Sequence, residues 1–200
     1  MTSGSSTPPN DKPKTDAEIA AYTIGERTPH NDSIVLADYD PSWPELFERE
    51  ARRIRVALGD GVLRLEHVGS TSVPGLAAKP RVDILLVVRD SSDEPAYAPA
   101  LESAGYVLRI REPNWYEHRV FKGPDMDLNL HVFSPGCIEI DRMVGFRDWL
   151  RTHAEDRALY ERTKRDLASR SWKYVQNYAD AKTEVVEQIL ARAIAAPPGR

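Results

Sequence analysis

The chain has 200 residues, 41% of them hydrophobic and 29% charged, with a formal net charge of −4; this suits one ordinary globular domain with a small appendage and argues against a protein that coats nucleic acid. No apolar run reaches the roughly 20 residues that span a bilayer, and the N-terminus carries no apolar signal core. The single cysteine, Cys137, fits a reducing compartment, so the expected location is the cytoplasm, with neither membrane nor nucleic acid indicated as a partner and the oligomeric state not legible.

Residues 1–33 are rich in Ser, Thr, Pro, Asn, Asp and Lys and bury too little apolar surface to offset their ordering entropy, so they are expected to form a disordered tail. Within them, Ile19-Ala20-Ala21-Tyr22 can form a short docked helix. The folded domain is expected over 34–195 and a frayed end over 196–200. Ile34-Val35-Leu36 reads as a short strand. Asp40-Pro41-Ser42-Trp43-Pro44-Glu45 reads as a helix start, with prolines where the first turn tolerates them. Phe47, Ala51, Ile54 and Leu58 continue that helix at helical spacing, and Gly59-Asp60-Gly61 stops it.

Strands are predicted at 62–68 and 81–88, a helix at 95–104, and strands at 106–110 and 117–122. Residues 125–133 alternate strictly. Met126, Leu128, Leu130 and Val132 lie on one face, with Asp125, Asp127, Asn129 and His131 on the other, the pattern of a half-buried strand with a polar working face. Pairing with 117–122 makes a hairpin. Beyond Pro135-Gly136 the chain turns helical, at about 138–152, 155–170 and 176–194. The fold class is therefore α+β, a mixed sheet flanked by helices followed by a helical C-terminal part.

Three groups of residues can do chemistry. Gly69-Ser70 follows a buried strand, where a turn leaves backbone N–H groups open to phosphate oxygens. The same residues also make an ordinary strand-to-helix turn. Asp83 sits on a strand apolar on both faces, so its charge needs a partner. That partner is either a metal ion or a salt bridge to Arg81, Lys79 or Arg119. Asp127 is the best-placed second acid for a metal, beside Asn129 and His131, although strict alternation also describes a solvated sheet face. Among basic residues, Lys79 and Arg119 lie near the proposed site. Tyr160 with Lys164, and Tyr178 with Lys182, share helix faces four residues apart, from which each lysine either reaches into a cleft or snorkels outward. Trp115 and Tyr116 can stack on a base or close a core edge. The spacing of His118, His131 and Cys137 matches no common zinc pattern.

The run Glu66-His67-Val68-Gly69-Ser70-Thr71-Ser72-Val73-Pro74-Gly75-Leu76-Ala77-Ala78-Lys79-Pro80, followed by Asp83-Ile84, closely resembles the signature of the GrpB family. The resemblance continues through Asp40-Pro41-Ser42-Trp43, His118-Arg119, Asn129-Leu130-His131-Val132, Phe146 to Arg151, Tyr160 to Lys164, and Tyr178 with Lys182. That family is placed in the nucleotidyltransferase superfamily, which implies a nucleotidyltransferase-like mixed sheet flanked by helices. It further implies Gly69, Ser70 and Thr71 on phosphates and Asp83 and Asp127 as catalytic ligands of Mg²⁺ or Mn²⁺. Lys79, Arg119, Asn129, His131, Lys164, Tyr178 and Lys182 are then expected around the substrate. The superfamily pattern also wants a second acid at position 85, where this chain has Leu85.

Three functions follow from these residues. One is transfer of a nucleotidyl group from a nucleoside triphosphate to an acceptor that the sequence does not name. The second is a catalytically inactive module that binds a nucleotide or another phosphorylated ligand, which Leu85 favours. The third treats Gly69-Ser70 and Asp83 as structural, with the N-terminal segment making partner contacts.

Overall fold

The computed structural model describes residues 15–25 and 32–196. Helix α1 (Asp16–Tyr22) opens it, started by a capping box in which Thr15 and Glu18 satisfy each other's backbone N–H groups. It docks on the sheet through a backbone bond from Ile24 N–H to the Arg109 carbonyl at 2.8 Å and a bridge between Thr23 and Ile110. The rest of the predicted tail, residues 1–14 and 26–31, lies outside the described residues, as does most of the frayed end, 197–200.

The predicted strand at 34–36 is not formed. The extended pair is instead β1 (Asp32–Ser33) with β7 (Ser171–Trp172). Ile34 turns inward to pack with Leu167, Ala168 and Tyr178, which ends the pairing. Helix α2 (Trp43–Leu58) is stopped at Gly59, where a positive φ of 52° suits glycine.

Five strands form the main sheet: β2 (Arg64–Val68), β3 (Val82–Val87), β4 (Val107–Glu112), β5 (His118–Lys122) and β6 (Leu128–Phe133). Their order is β2-β3-β6-β5-β4, with β3 and β6 parallel and every other pair antiparallel. The predicted hairpin is the β5–β6 pair. The parallel seam is what assembles the site, because it sets Asp83 against Asn129 and Leu85 against His131.

Strand parity then sorts every residue. Val82, Ile84, Leu86, Leu128, Leu130, Val132 and Phe121 face one layer, where Ile54 of α2 and Leu101 of α3 (Ala98–Ser103) complete the main core. The opposite face is divided. Val68, Leu85, Val87 and Phe133 form an apolar half covered by Ile140 of α4 (Ile138–Thr152). Asp83, Asn129, His131 and Lys122 form the polar half.

A helical half covers this second face. It comprises α4, α5 (Ala154–Ala168), α6 (Val175–Asp180) and α7 (Thr183–Ala195). The helix predicted over 176–194 is broken at Ala181-Lys182, and Lys182 caps α7. The loop joining β2 to β3 is the hub between the halves. Its Val73 and Leu76 pack with Leu150, Tyr160, Val185 and Ile189. Arg151 donates twice to the Ser72 carbonyl, at 3.0 and 2.8 Å, and Arg147 donates to the His67 carbonyl at 2.9 Å and to Glu66 Oε2 at 2.8 Å. No helix among the described residues is long and apolar enough to cross a membrane.

Candidate functional site

A cleft of about 710 Å³ separates the polar half of the sheet from the helical half, and Gly69, Ser70, Lys79, Asp83, Lys164 and Lys182 are among its lining residues. That volume lies within the range of sites for small molecules and cofactors. Gly69 has φ 70° and ψ −174° and begins a 3₁₀ turn over Ser70–Ser72. An added Cβ there would lie 2.5 Å from Asp83 Oδ2, so the turn backbone rests directly against the carboxylate of β3.

Asp83 is partly accessible, with a quarter of its side chain exposed. Asn129 Nδ2 donates to its Oδ1 at 2.7 Å, and His131 Nε2 lies 3.6 Å from the same oxygen. Burial raises the Asp83 pKa, but His131, the Asn129 amide and the charge of Arg81 outweigh it and hold the carboxyl below its ordinary range. Asn129 in turn accepts from Lys122 Nζ at 2.6 Å. Arg81 donates to Asp127 Oδ1 at 2.7 Å, and Lys122 Nζ is 3.5 Å from that oxygen. Neither Lys79 nor Arg119 pairs with Asp83, and Arg81 pairs with Asp127.

Behind this group runs a file of side chains across the sheet. Glu112 Oε2 meets His118 Nδ1 at 2.7 Å, His118 Nε2 meets His131 Nδ1 at 3.1 Å, and His131 then faces Asp83. Glu112 and His118 are buried.

Lysines supply the cleft's positive charge. Burial, then the nearby charge of Arg81, brings the Lys79 ammonium down to about 8. Lys164 is only 2% exposed. It donates to the Ala77 carbonyl, and its Nζ sits 4.7 Å from the centre of the Tyr160 ring. Burial, then the charge of Lys182, pulls it down to about 7. Lys182 Nζ stands 4.8 Å over the Tyr178 ring. None of these three lysines has an ion-pair partner among the described residues.

Three predicted residues are not among those lining this cleft: Asp127, tied to Arg81 and Lys122 at its rim, Arg119 and Thr71. Arg119 lies on the other face of the sheet, buried, bonding Glu94 Oε1 at 2.5 Å and Glu117 Oε2 at 3.2 Å. Its neighbour His118 faces the cleft, and one step along a strand reverses the side. Thr71 is buried, and its hydroxyl is committed to His67 Nε2 at 3.0 Å and to the Arg81 carbonyl at 3.3 Å. Lys122, Glu112 and His118 are absent from the site expected on sequence, although strand parity across β4–β6 points to all three. Trp115 borders the cleft, and with Tyr116 it also closes the apolar edge beside α4.

The expected Mg²⁺ or Mn²⁺ calls for hard oxygen ligands. Asp83 Oδ1 is taken by Asn129, and Asp127 is held by Arg81 and Lys122. Glu66 is paired with Arg147 and Arg64. Leu85 is fully buried among Val68, Val87 and Phe133. No group of three or more His, Cys, Asp or Glu among the described residues is placed to hold a metal. The carboxylates here are thus engaged by neighbouring amide, guanidinium and ammonium groups.

Residues 33–192 match the family described as GrpB protein. The chain belongs to the GrpB family. A UPF0157 protein of Halalkalibacterium halodurans is 62% identical over 184 residues, covering 92% of this chain and 94% of that protein. The crystal structure of GrpB from Enterococcus faecalis superposes with a TM-score of 0.71 at 30% identity, covering 80% of this chain and 98% of that one. A protein named dephospho-CoA kinase from Mycolicibacterium paratuberculosis is 26% identical over 188 residues, covering 81% of this chain and 46% of that protein. The GrpB fold is thus a mixed five-stranded sheet with flanking helices and a helical C-terminal half.

Proposed function

We propose that this GrpB-family chain binds a phosphorylated ligand of the nucleotide class in the cleft between the sheet and the helical half. The observation that carries this reading is the convergence of Lys79, Lys164 and Lys182, unpaired among the described residues, on a cavity that also holds the Gly69-Ser70 turn. Cations held out of water without partners are costly, and an anion that enters between them repays part of that cost. Turn N–H groups and the Ser70 hydroxyl add donors suited to phosphate oxygens. Arg81 and Lys122, already shared with Asp127, complete a basic rim.

Calorimetry and thermal shift with ATP, GTP, CTP, UTP, dephospho-CoA and pyrophosphate test the reading. Dephospho-CoA belongs in the panel because of the relative named for it. Binding that raises Tm and is lost in Lys79→Met is expected. No shift with any of these compounds, with or without Mg²⁺, overturns the proposal.

A second reading, nucleotidyl transfer, is favoured by one observation: the ionised Asp83 touching the Gly69-Ser70 turn. It expects Mg²⁺-dependent release of pyrophosphate when a cell extract supplies the acceptor, abolished by Asp83→Asn. Binding without any such release leaves the chain a binding module.

A further inference from the structure

The helical wall of the cleft holds a group that the phosphate turn does not use. Tyr178 is 2% exposed, and its hydroxyl is buried with no hydrogen-bond partner among the described residues. Buried hydroxyls are nearly always paired, so an orphan on a cleft wall calls for a partner that enters with a ligand. Lys164, on the adjoining helix, lines the same cleft. Its ammonium has three N–H donors, and among the described residues it donates to one acceptor, the Ala77 carbonyl. Lys182 lies over the Tyr178 ring, and its charge acts on Lys164. This wall therefore offers donors that no carboxylate among the described residues meets in an ion pair.

Continuity with the turn is also visible. A side cavity of about 230 Å³ is lined jointly by Gly69, Ser70, Tyr160 and Lys182. Lys182 thus belongs to both places, and one ligand can touch the turn and the helical wall together.

We propose that Tyr178 and Lys164 form a second subsite, on the helical wall, that takes an anionic oxygen of the ligand, separate from the group held at the Gly69-Ser70 turn. The inference rests on the phosphorylated-ligand reading above. It adds that the ligand is anionic at two positions and that the second is recognised by a phenol and an ammonium. A phosphate and a carboxylate share this chemistry.

The test uses the full chain with three probes: inorganic phosphate, pyrophosphate and malonate. Tyr178→Phe removes one oxygen and leaves the ring packed, so its Tm without ligand should equal or exceed that of the wild type. Wild type should bind a two-headed probe more tightly than phosphate. Tyr178→Phe and Lys164→Met should each weaken that probe about tenfold, the scale of one charge-assisted hydrogen bond. Loss confined to pyrophosphate assigns the subsite to phosphate, and loss confined to malonate assigns it to carboxylate. Unchanged affinity for both in Tyr178→Phe overturns the subsite and leaves its hydroxyl met by water only. Failure of wild type to bind these probes while a nucleotide still raises Tm overturns the subsite alone, and failure with the nucleotides as well overturns the underlying reading.

Discussion

A Cβ on Gly69 would stand 2.5 Å from Asp83 Oδ2 and 3.0 Å from Asp83 Cβ, so the turn after β2 and the carboxylate of β3 touch with no room between them for a side chain. The glycine is required twice over, because φ 70° with ψ −174° is a backbone region almost restricted to glycine. The contact also sets the turn directly beside the negative charge of Asp83, which His131, Asn129 and Arg81 offset.

Gly69→Ala is therefore expected to cost about 1–3 kcal/mol in backbone strain alone, and more because Asp83 must move. Urea unfolding measures the loss, and calorimetry should show ligand binding abolished. A double-mutant cycle with Asp83→Ala separates the terms. Relief of the clash should appear as a coupling of at least ~0.5 kcal/mol. Strict additivity would mean that the two groups do not press on each other.

On the other face of the sheet, Arg119 offers a control for the placement of the cleft. Its guanidinium is buried against Glu94 and Glu117, so Arg119→Met should lower stability by roughly 1.5–3 kcal/mol. Ligand affinity should stay as in the wild type. A variant that keeps its stability and loses binding would place Arg119 in the site after all.

Acid sensitivity should trace to His67. Burial, outweighing the opposing charge of Asp83, lowers its pKa from 6.5 to about 4. The ring stacks on Phe47 at 4.9 Å and bonds Thr71. Because the folded pKa is depressed, the unfolded chain binds more protons between about 4 and 6.5. Stability is then fullest above pH 6.5 and falls as pH drops toward 4. At about 1.4 kcal/mol per pH unit, the loss from pH 6.5 to 5 is about 2 kcal/mol. His67→Gln keeps an amide donor for Thr71 and should flatten this part of the curve, as followed by denaturant unfolding at stepped pH. An unchanged slope would move the acid sensitivity to another group.

The local pattern of the chain carried most of the elements and one wall of the site. Strict alternation over β6 placed Asn129 and His131 on a common face opposite Leu128, Leu130 and Val132, and helix α4 runs over the 138–152 span that its periodicity predicts. The parallel seam between β3 and β6 was not legible, because pairing across the 46 residues from Asp83 to Asn129 depends on tertiary packing. Without that seam, the sequence leaves the partner of Asp83 open between a metal ion and Arg81, Lys79 or Arg119, whereas Arg81 bonds Asp127. Arg119 was misplaced for a simpler reason. Pairing of 117–122 with 125–133 brings its strand beside the site, but successive strand residues point to opposite faces, and Arg119 takes the far one. The break at Ala181-Lys182 carries no glycine or proline to announce it. It nonetheless puts Lys182 at a helix start facing the cleft.

Lys164 should trade stability for binding. Burial pulls its ammonium from 10.5 down to about 7, so between those values the unfolded chain binds more protons than the folded one. Stability accordingly rises with pH across that window, and the full penalty stands below pH 7. Replacing the lysine with methionine removes the buried charge at similar volume, and gives up the bond to the Ala77 carbonyl and the contact of the ammonium with the Tyr160 ring. Lys164→Met is therefore expected to raise stability at pH 7, by on the order of 2 kcal/mol. The gain should shrink as pH approaches 10.5, where the wild-type lysine is neutral in both states. The same variant should bind phosphorylated ligands poorly. The proposed binding role supplies a use for an ammonium kept in the interior at a cost to stability. A variant that is more stable at pH 7 and still binds pyrophosphate as tightly as the wild type would deny Lys164 that use.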